Sequence, residues 1–167
     1  MSPSRAAALF SALGIAERDH AHYNPESGEV VCSGPATAAV SALLPSLLSE
    51  QAATKLGLRT QAAARRWAVE TGGITVNGAA VYTDRDTQAK LTAAFTRANA
   101  NPAFTLNWKT AGGFVTLTAA QVIALANAVF DHVQAAFDAE AAVLADIESG
   151  TITTTAEIDA AAWPSNS

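Results

Sequence analysis

Cysteine and aromatic residues are scarce in this sequence. Among 167 residues there is one cysteine, Cys32, and aromatic side chains make up 7%. A single cysteine excludes an intramolecular disulfide framework and a zinc site built from cysteines, and a lone thiol usually packs as a small hydrophobe. Hydrophobic residues form 50% of the chain, but many are alanines, which bury little apolar area. The composition therefore predicts a thin core that is stiffened by long helices or completed by neighbouring subunits.

Clustered positive charge and long apolar runs are also missing. The formal net charge is −5, and the densest basic spot is the pair Arg65 and Arg66. Binding to a phosphate backbone needs clustered positive charge, so we expect no nucleic-acid partner. No stretch approaches the ~20 apolar residues of a membrane span, and the apolar run at residues 6–10 is too short for a signal peptide and lacks its charged lead. We therefore expect a soluble chain, made in the cytoplasm, with no membrane contact.

Residues 1–60 are predicted to form an N-terminal arm of a short helix, a loop and a second helix. An alanine-rich helix over residues 4–13 ends at a glycine, and residues 29–32 suit a short strand in a turn-rich loop with one hairpin-like piece. Pro45 interrupts a leucine-rich repeat; since proline inside a helix costs ~3 kcal/mol, we expect a break there and a new helix over residues 46–70. Its apolar residues are few, namely Leu47, Leu48, Leu56 and Trp67. That sparseness favours an exposed helix or one that packs on a partner, so we expect the arm to serve attachment or oligomerisation.

Residues 61–167 are predicted to form an α+β domain. Asn77-Gly78 between two β-rich runs is the strongest short signal for a hairpin, because both central residues of a type I′ turn need positive φ. Apolar residues at three- and four-residue spacing predict a helix over residues 87–99. Residues 104–109 alternate apolar with polar, and residues 114–117 return as the partner strand. The expected fold class is α+β: a small antiparallel sheet of two β-hairpins with a crossing helix and a long C-terminal helix, preceded by the helical N-terminal arm.

The C-terminal helix is the longest predicted element. It begins at a capping box of Thr118 and Gln121 and ends near Ser149, where Gly150 follows. Such a helix is ~45 Å long at 1.5 Å per residue, which is too long for a small sheet to cover. Its predicted buried stripe is Val122, Leu125, Val129, Val133, Phe137, Glu140, Leu144 and Ile147. We therefore expect other chains to cover the far half of this helix.

Six acidic or histidine residues are candidates for chemical roles. The motif Asp19-His20-Ala21-His22 could begin a metal site, but two histidines on a loop without a third and fourth ligand are usually solvated surface. His132 flanks the apolar stripe of the long helix, where a hydrogen-bonded structural role is favoured over a catalytic base. Asp84 and Asp86 precede a helix and lack the further ligands of an EF-hand. Helix capping and interaction with the helix dipole explain them.

Glycine pairs, the cysteine and the tryptophans show no catalytic pattern either. Gly72-Gly73 and Gly112-Gly113 lack the residues that cradle phosphate, and Cys32 has no plausible triad around it. Aromatic clusters can bind sugars, but tryptophan at element ends is more often core, and we expect core for Trp67, Trp108 and Trp163. The sequence predicts no enzyme, cofactor or metal site.

A second capping box, at Thr154 and Glu157, predicts a last short helix that ends near Ala162. Trp163 follows it directly. We expect this tryptophan to dock the C-terminal tail onto the long helix.

Short fragments in a fixed order mark the chain between about residues 65 and 163. They are Arg66-Trp67, Glu70-Thr71-Gly72-Gly73-Ile74, Asn77-Gly78, Thr83-Asp84, Thr87-Gln88-Ala89-Lys90-Leu91, Trp108-Lys109, Gly113-Phe114, Leu117-Thr118-Ala119, His132-Val133-Gln134-Ala135-Ala136-Phe137, Glu157-Ile158 and Trp163. In these fragments the chain resembles a family known only as a domain of unknown function, which occurs in tail proteins of tailed phages and prophages.

The resemblance implies a structural component of a tailed bacteriophage virion, in the tail fibre or baseplate region. Its partners would be other tail, baseplate or fibre proteins and further copies of itself in a homo-oligomer. It would be made in the host cytoplasm and located in the virion. The alternative is a tail-fibre assembly chaperone that is absent from the mature virion. A third possibility, a cell-wall or polysaccharide hydrolase, would normally show paired carboxylates in a cleft.

Overall fold

The computed structural model describes residues 3–13, 21–24, 27, 29–33, 35–110 and 113–166. Its elements in chain order are α1 (Pro3–Ala12), β1 (Ala21–Asn24), β2 (Glu29–Cys32), α2 (Pro35–Thr71), β3 (Ile74–Val76), β4 (Ala79–Val81), α3 (Arg85–Ala100), β5 (Thr105–Thr110), β6 (Gly113–Thr118), α4 (Ala119–Ser149) and α5 (Thr155–Asp159). The chain forms two compact units, Met1–Gly57 and Leu58–Ser167. The α+β class predicted from the sequence is confirmed.

The first unit holds the short helix and one small hairpin. Helix α1 buries Ala6 and Leu9, and Leu13, which follows it, is buried as well. The predicted strand at residues 29–32 is β2. Its antiparallel partner is β1, in which Tyr23 stands opposite Val30. The glycine expected to end α1 lies outside the described residues.

The predicted helix break at Pro45 is wrong. Helix α2 runs through this proline without interruption. Proline removes one backbone hydrogen bond and crowds the preceding turn, but the flanking alanines and leucines are strong helix formers. The hydroxyl of Ser46 donates to the carbonyl of Leu43 at 2.9 Å, which satisfies an acceptor close to the proline. The expected exposure of this helix is confirmed at Leu48 and Leu56.

The hairpins of the second unit lie where the sequence predicts them, but they do not share a sheet. Asn77 and Gly78 both have positive φ, 52° and 81°, as the type I′ turn requires, and they join β3 to β4. The second hairpin pairs β5 with β6 in antiparallel register. Among the described residues each hairpin is its own two-stranded sheet. The expectation that both hairpins share one sheet is therefore wrong. Each hairpin packs its apolar face on helices, and neither needs the other's edge.

Helix α3 lies against α4 and supplies much of the core. Asp84 caps α3, since its carboxylate accepts from the backbone N–H of Thr87 at 3.0 Å. The apolar residues that predicted this helix are Leu91, Ala94, Phe95 and Ala98; the stripe is confirmed at Leu91, Ala94 and Ala98, which are buried, while Phe95 is half-buried.

Helix α4 has the predicted caps. Thr118 and Gln121 form the capping box, and Gly150 ends the helix in a left-handed conformation (φ 82°). Its buried line departs from the predicted stripe after Val129, where it continues through His132, Ala136, Val143 and Ile147. The buried line repeats every seven residues at Val122, Val129, Ala136 and Val143. The predicted stripe instead took three successive four-residue steps from Leu125 to Phe137, and at 3.6 residues per turn such steps rotate away from the buried face. Phe137, predicted to face inward, is therefore exposed.

The far half of α4 is covered by its own chain, which corrects the expectation that this half needs other chains. Val143 and Ile147 pack with Leu58 and Ala62 of α2 and with residues of the C-terminal segment. That segment opens with the predicted capping box of Thr154 and Glu157 and forms α5, which ends at Asp159, not near Ala162. Trp163 docks on this cluster as predicted, and its Nε1–H donates to the carbonyl of Ile158 at 2.8 Å.

Candidate functional site

A carboxylate with no solvent exposure lies inside the second unit. Glu70, in the last turn of α2, is fully buried. One of its oxygens accepts a hydrogen bond from Arg66, one turn earlier on the helix. The other lies 3.1 Å from a guanidinium nitrogen of Arg85 and accepts from Gln88 Nε2 at 3.3 Å. A buried charge is tolerated only when it is paired and hydrogen-bonded, so these three donors allow Glu70 to stay inside.

Arg66 extends this network to α4. Its Nε lies 2.8 Å from a carboxylate oxygen of Glu140, an ion-pair distance, although the N–H bond does not point at that oxygen. Its guanidinium carbon lies 4.5 Å from the ring centre of Phe137. Both contacts tie the end of α2 to the middle of α4, one through opposite charge and one through the negative face of the ring.

Thr83 ties the first hairpin to the same network. It is fully buried, and its Oγ1 accepts from the backbone N–H of Gly73 at 2.9 Å. Its carbonyl accepts from Gln88 Nε2 at 2.7 Å. The two ends of the β3–β4 hairpin are thereby joined to each other and to α3.

His132 satisfies the end of α2. Its Nε2 lies 2.9 Å from the carbonyl of Val69 and donates to it, and Asn166 Nδ2 donates to the same carbonyl at 2.5 Å. Carbonyls in the last turn of a helix have no partner within the helix; the carbonyl of Val69 accepts from the backbone N–H of Gly72 at 3.3 Å and from these two side chains. The structural role expected for His132 is confirmed, but the residue belongs to the buried line of α4 and not to its flank.

Above the buried carboxylate, two arginines and two aromatic rings alternate at the surface. We name Arg66, Trp67, Arg85 and Phe137 the arginine–aromatic patch. Arg66 contacts both rings, at 4.5 Å from Phe137 and 6.0 Å from Trp67, and Arg85 lies 5.1 Å from the Trp67 ring. Trp67 is 47% exposed and Phe137 is 42% exposed. Because Glu70 binds both arginines from below, the rings are held in a fixed arrangement while their outer faces remain open.

The arginine–aromatic patch presents two half-exposed rings beside two guanidinium groups. Guanidinium groups donate hydrogen bonds to carboxylates and carbonyls, and open ring faces pack against apolar side chains. Tryptophan and arginine are enriched among the residues that carry most of the energy of protein interfaces. The exposure of Trp67 overturns the expectation that it is core, whereas Trp108 and Trp163 are partly buried against core clusters as predicted.

The other candidates from the sequence are not brought together. His22 lies exposed on β1 and Cys32 is half-buried at the end of β2, while Asp19 and His20 lie outside the described residues. Within the part of the chain that the structure describes, no group of three or more histidine, cysteine or acidic side chains is placed to hold a metal ion. Asp86 pairs with Lys90 on the surface of α3.

Three titratable side chains at the surface have a pKa that is shifted from its ordinary value. The backbone N–H of Thr87, followed by its hydroxyl, lowers the pKa of Asp84, which confirms that this carboxylate is a helix cap. The backbone N–H of Thr153 lowers the pKa of Glu157 in the second capping box. A hydrogen bond to Asp86 raises the pKa of Lys90. All three shifts arise from local contacts of secondary structure and mark no catalytic group.

The sequence did not single out Glu70, Arg85 or Phe137 as a site. The four-residue step from Arg66 to Glu70 on a helix was the available signal, because side chains at this spacing are neighbours. Arg85 arrives from another helix, and nothing local in the sequence indicates that contact. Fragments of the family resemblance nevertheless supply most of the network, from Arg66-Trp67 through Thr83 and Gln88 to His132 and Phe137.

Comparison with known proteins yields one match. The family model described as "Domain of unknown function (DUF4376)" matches residues 52–162, more than half of the chain. No curated protein and no solved structure matches. None of the helices described is long and apolar enough to cross a membrane. The chain belongs to the DUF4376 family of domains of unknown function.

Proposed function

We propose that this protein is a structural component of a tailed bacteriophage virion, in the tail fibre or baseplate region, where it mediates protein–protein assembly or fibre attachment. The placement in a phage tail rests on the resemblance of the family fragments to tail proteins. The contact role rests on one observation: Trp67 is half-exposed on the helix that carries the family match, yet it is fixed by arginines bound to a buried carboxylate.

The energy available at Trp67 is enough for a hot spot. Complete burial of an aromatic side chain removes about 150–250 Å² from water, so covering the exposed half of Trp67 removes about 100 Å². At about 25 cal/mol per Å² this contributes about 2.5 kcal/mol, or about a 60-fold change in dissociation constant. The ring is already held by Arg66 and Arg85, so little side-chain entropy is lost on binding.

The proposed partners are other tail, baseplate or fibre proteins and further copies of this chain. Alternating rings and arginines can pair with carboxylates and apolar side chains on such a surface. Light scattering on the purified chain measures the homo-oligomer directly. If the chain is a monomer at all concentrations, the proposed self-association is wrong, and contact with other tail proteins is the part of the proposal that stands.

The test uses particles of the phage or induced prophage that encodes the chain. We expect mass spectrometry to detect the protein in purified particles at a stoichiometry comparable to other tail proteins. Its absence there, with normal expression in the host cell, would overturn the virion assignment in favour of an assembly chaperone.

A pair of variants tests the patch itself. Trp67→Ala should reduce incorporation into particles by roughly the 60-fold loss in affinity worked out above, while the chain still folds. Phe130→Ala is the matched control, because Phe130 is 65% exposed on α4 but is no part of the arginine–aromatic patch. Equal incorporation of both variants would refute the role of Trp67.

A further inference from the structure

The second unit has an apolar groove of about 590 Å³ between β4, α3 and the β5–β6 hairpin, on a surface separate from the arginine–aromatic patch. Its walls include the aromatic side chains of Tyr82, Trp108 and Phe114. Tyr82 and Phe114 are 67% and 74% exposed. Ligand sites in proteins commonly have volumes of about 300–1,000 Å³ and apolar walls with a few polar groups, and this groove meets both conditions.

Two cations of the second unit that have no carboxylate partner among the described residues line the groove, and a third lining cation, Lys90, pairs with Asp86. Arg59, Arg65, Arg66, Arg85 and Lys90 each lie within 4.0 Å of a carboxylate oxygen. Arg97 and Lys109 have no such partner among the described residues, and both line the groove together with Lys90. No aspartate or glutamate is among the described lining residues. In a chain of net charge −5, this arrangement is complementary to a negatively charged ligand.

The groove also follows the edge of a strand. Consecutive residues of β5, from Leu106 to Thr110, line it. Since neighbouring side chains of a strand point to opposite faces, a cavity touched by all of them lies along the strand's edge. In the described part of the chain β5 is hydrogen-bonded to β6 alone, so its other edge carries unpaired backbone donors and acceptors.

We propose that this groove binds an extended acidic peptide segment of a partner protein. The backbone of the peptide pairs with the open edge of β5, as in strand addition. A bulky apolar side chain of the peptide packs between Tyr82 and Phe114, and its carboxylates meet Arg97 and Lys109. The strand edge favours a peptide over an acidic saccharide, because a saccharide has no repeating amide to match it. The inference names a partner chemistry at a separate surface and does not depend on the phage assignment.

The experiment uses the purified full chain and a displayed library of short random peptides. We expect the enriched peptides to combine an aromatic or large aliphatic residue with several carboxylates. Binding of one such peptide, measured by fluorescence anisotropy, should weaken at least about 100-fold for the double variant Arg97→Gln/Lys109→Gln, since each of the two lost charge-assisted contacts costs about 1.4 kcal/mol or more, a factor of about ten. It should also weaken as salt is raised.

A double variant with the same change in net charge provides the control. Arg59→Gln/Arg65→Gln removes two exposed cations of α2 that do not line the groove, and it should bind the peptide normally. Hydrogen exchange should slow at the β5 amides when the peptide is bound.

Three results would overturn the proposal. They are failure to enrich acidic peptides, equal binding by the two double variants, and binding of an oligouronate in place of every peptide. None of them bears on the incorporation of Trp67→Ala into particles, so this proposal and the proposed function fail separately.

Discussion

The substitution Glu70→Gln tests whether the buried carboxylate holds the second unit together. The change keeps the shape of the side chain and removes its charge. It also places an amide N–H₂ where Arg66, Arg85 and Gln88 all direct donors. The amide donor of the new side chain would then face other donors inside the protein.

The expected loss of stability depends on how exposed the partners of Glu70 are. Removing one member of a buried ion pair costs about 3–5 kcal/mol. The lower end applies here, because Arg66 keeps Glu140 at 2.8 Å and Arg85, whose side chain is 57% exposed, can return to water. A loss of about 3 kcal/mol lowers the melting temperature by roughly 6–12 °C in a protein of this size.

Thermal unfolding followed by circular dichroism measures this loss, with Glu148→Gln as the control. Glu148 pairs with Arg59 at the surface, where both side chains are about half exposed, so its substitution should cost less than about 1 kcal/mol. If both variants melt within a degree of each other, Glu70 does not organise the unit.

Three further predictions concern caps, turns and the end of α2. The pKa of Asp84 is lowered in the folded chain from its ordinary value of 3.8. Its charge therefore stabilises the fold above that value, and this contribution disappears as the pH falls through the lower, folded pKa. Asp84→Asn, which can still cap α3, should flatten the acid limb of a stability-versus-pH curve, and an unchanged limb would contradict the assignment. Gly78→Val should lower the melting temperature by several degrees, since a β-branched residue at φ 81° is strained, and an unchanged value would count against the type I′ turn. His132→Leu should cost about 1 kcal/mol in urea unfolding, because Asn166 still donates to Val69; a loss above about 3 kcal/mol would mean that the histidine does more than cap α2.

Elements with local signals were predictable from the sequence. The turn at Asn77-Gly78, the capping boxes of α4 and α5 and the stop at Gly150 each depend on a few adjacent residues. Their backbone conformations follow from sterics and from hydrogen bonds within one turn, so the sequence carries them directly.

Features set by contacts between distant residues were not predictable. The helix continues through Pro45 although the local cost favours a break. The far half of α4 is covered by residues around Leu58, which lie far from it in the sequence, and by residues around Ile158, which follow the chain reversal after α4. His132 lies on the buried line of α4, and its partner, a carbonyl at the end of α2, is 63 residues away in the chain.

The candidate site illustrates the same division. Arg66 and Glu70 are neighbours by helical spacing, and this pair could be read from the sequence. Arg85 and Phe137 join them from α3 and α4, and the exposure of Trp67 follows from that assembly. A single sequence contains no local signal that indicates these long-range contacts.

Cross-linking from position 67 in intact particles tests the central claim most directly. A photoreactive phenylalanine analogue, p-benzoylphenylalanine, would replace Trp67, and illumination would join it to whatever molecule covers that site. We predict a cross-link to another virion protein or to a second copy of this chain. Particles that contain the substituted chain but yield no cross-link from position 67 would show that the arginine–aromatic patch is not an assembly surface.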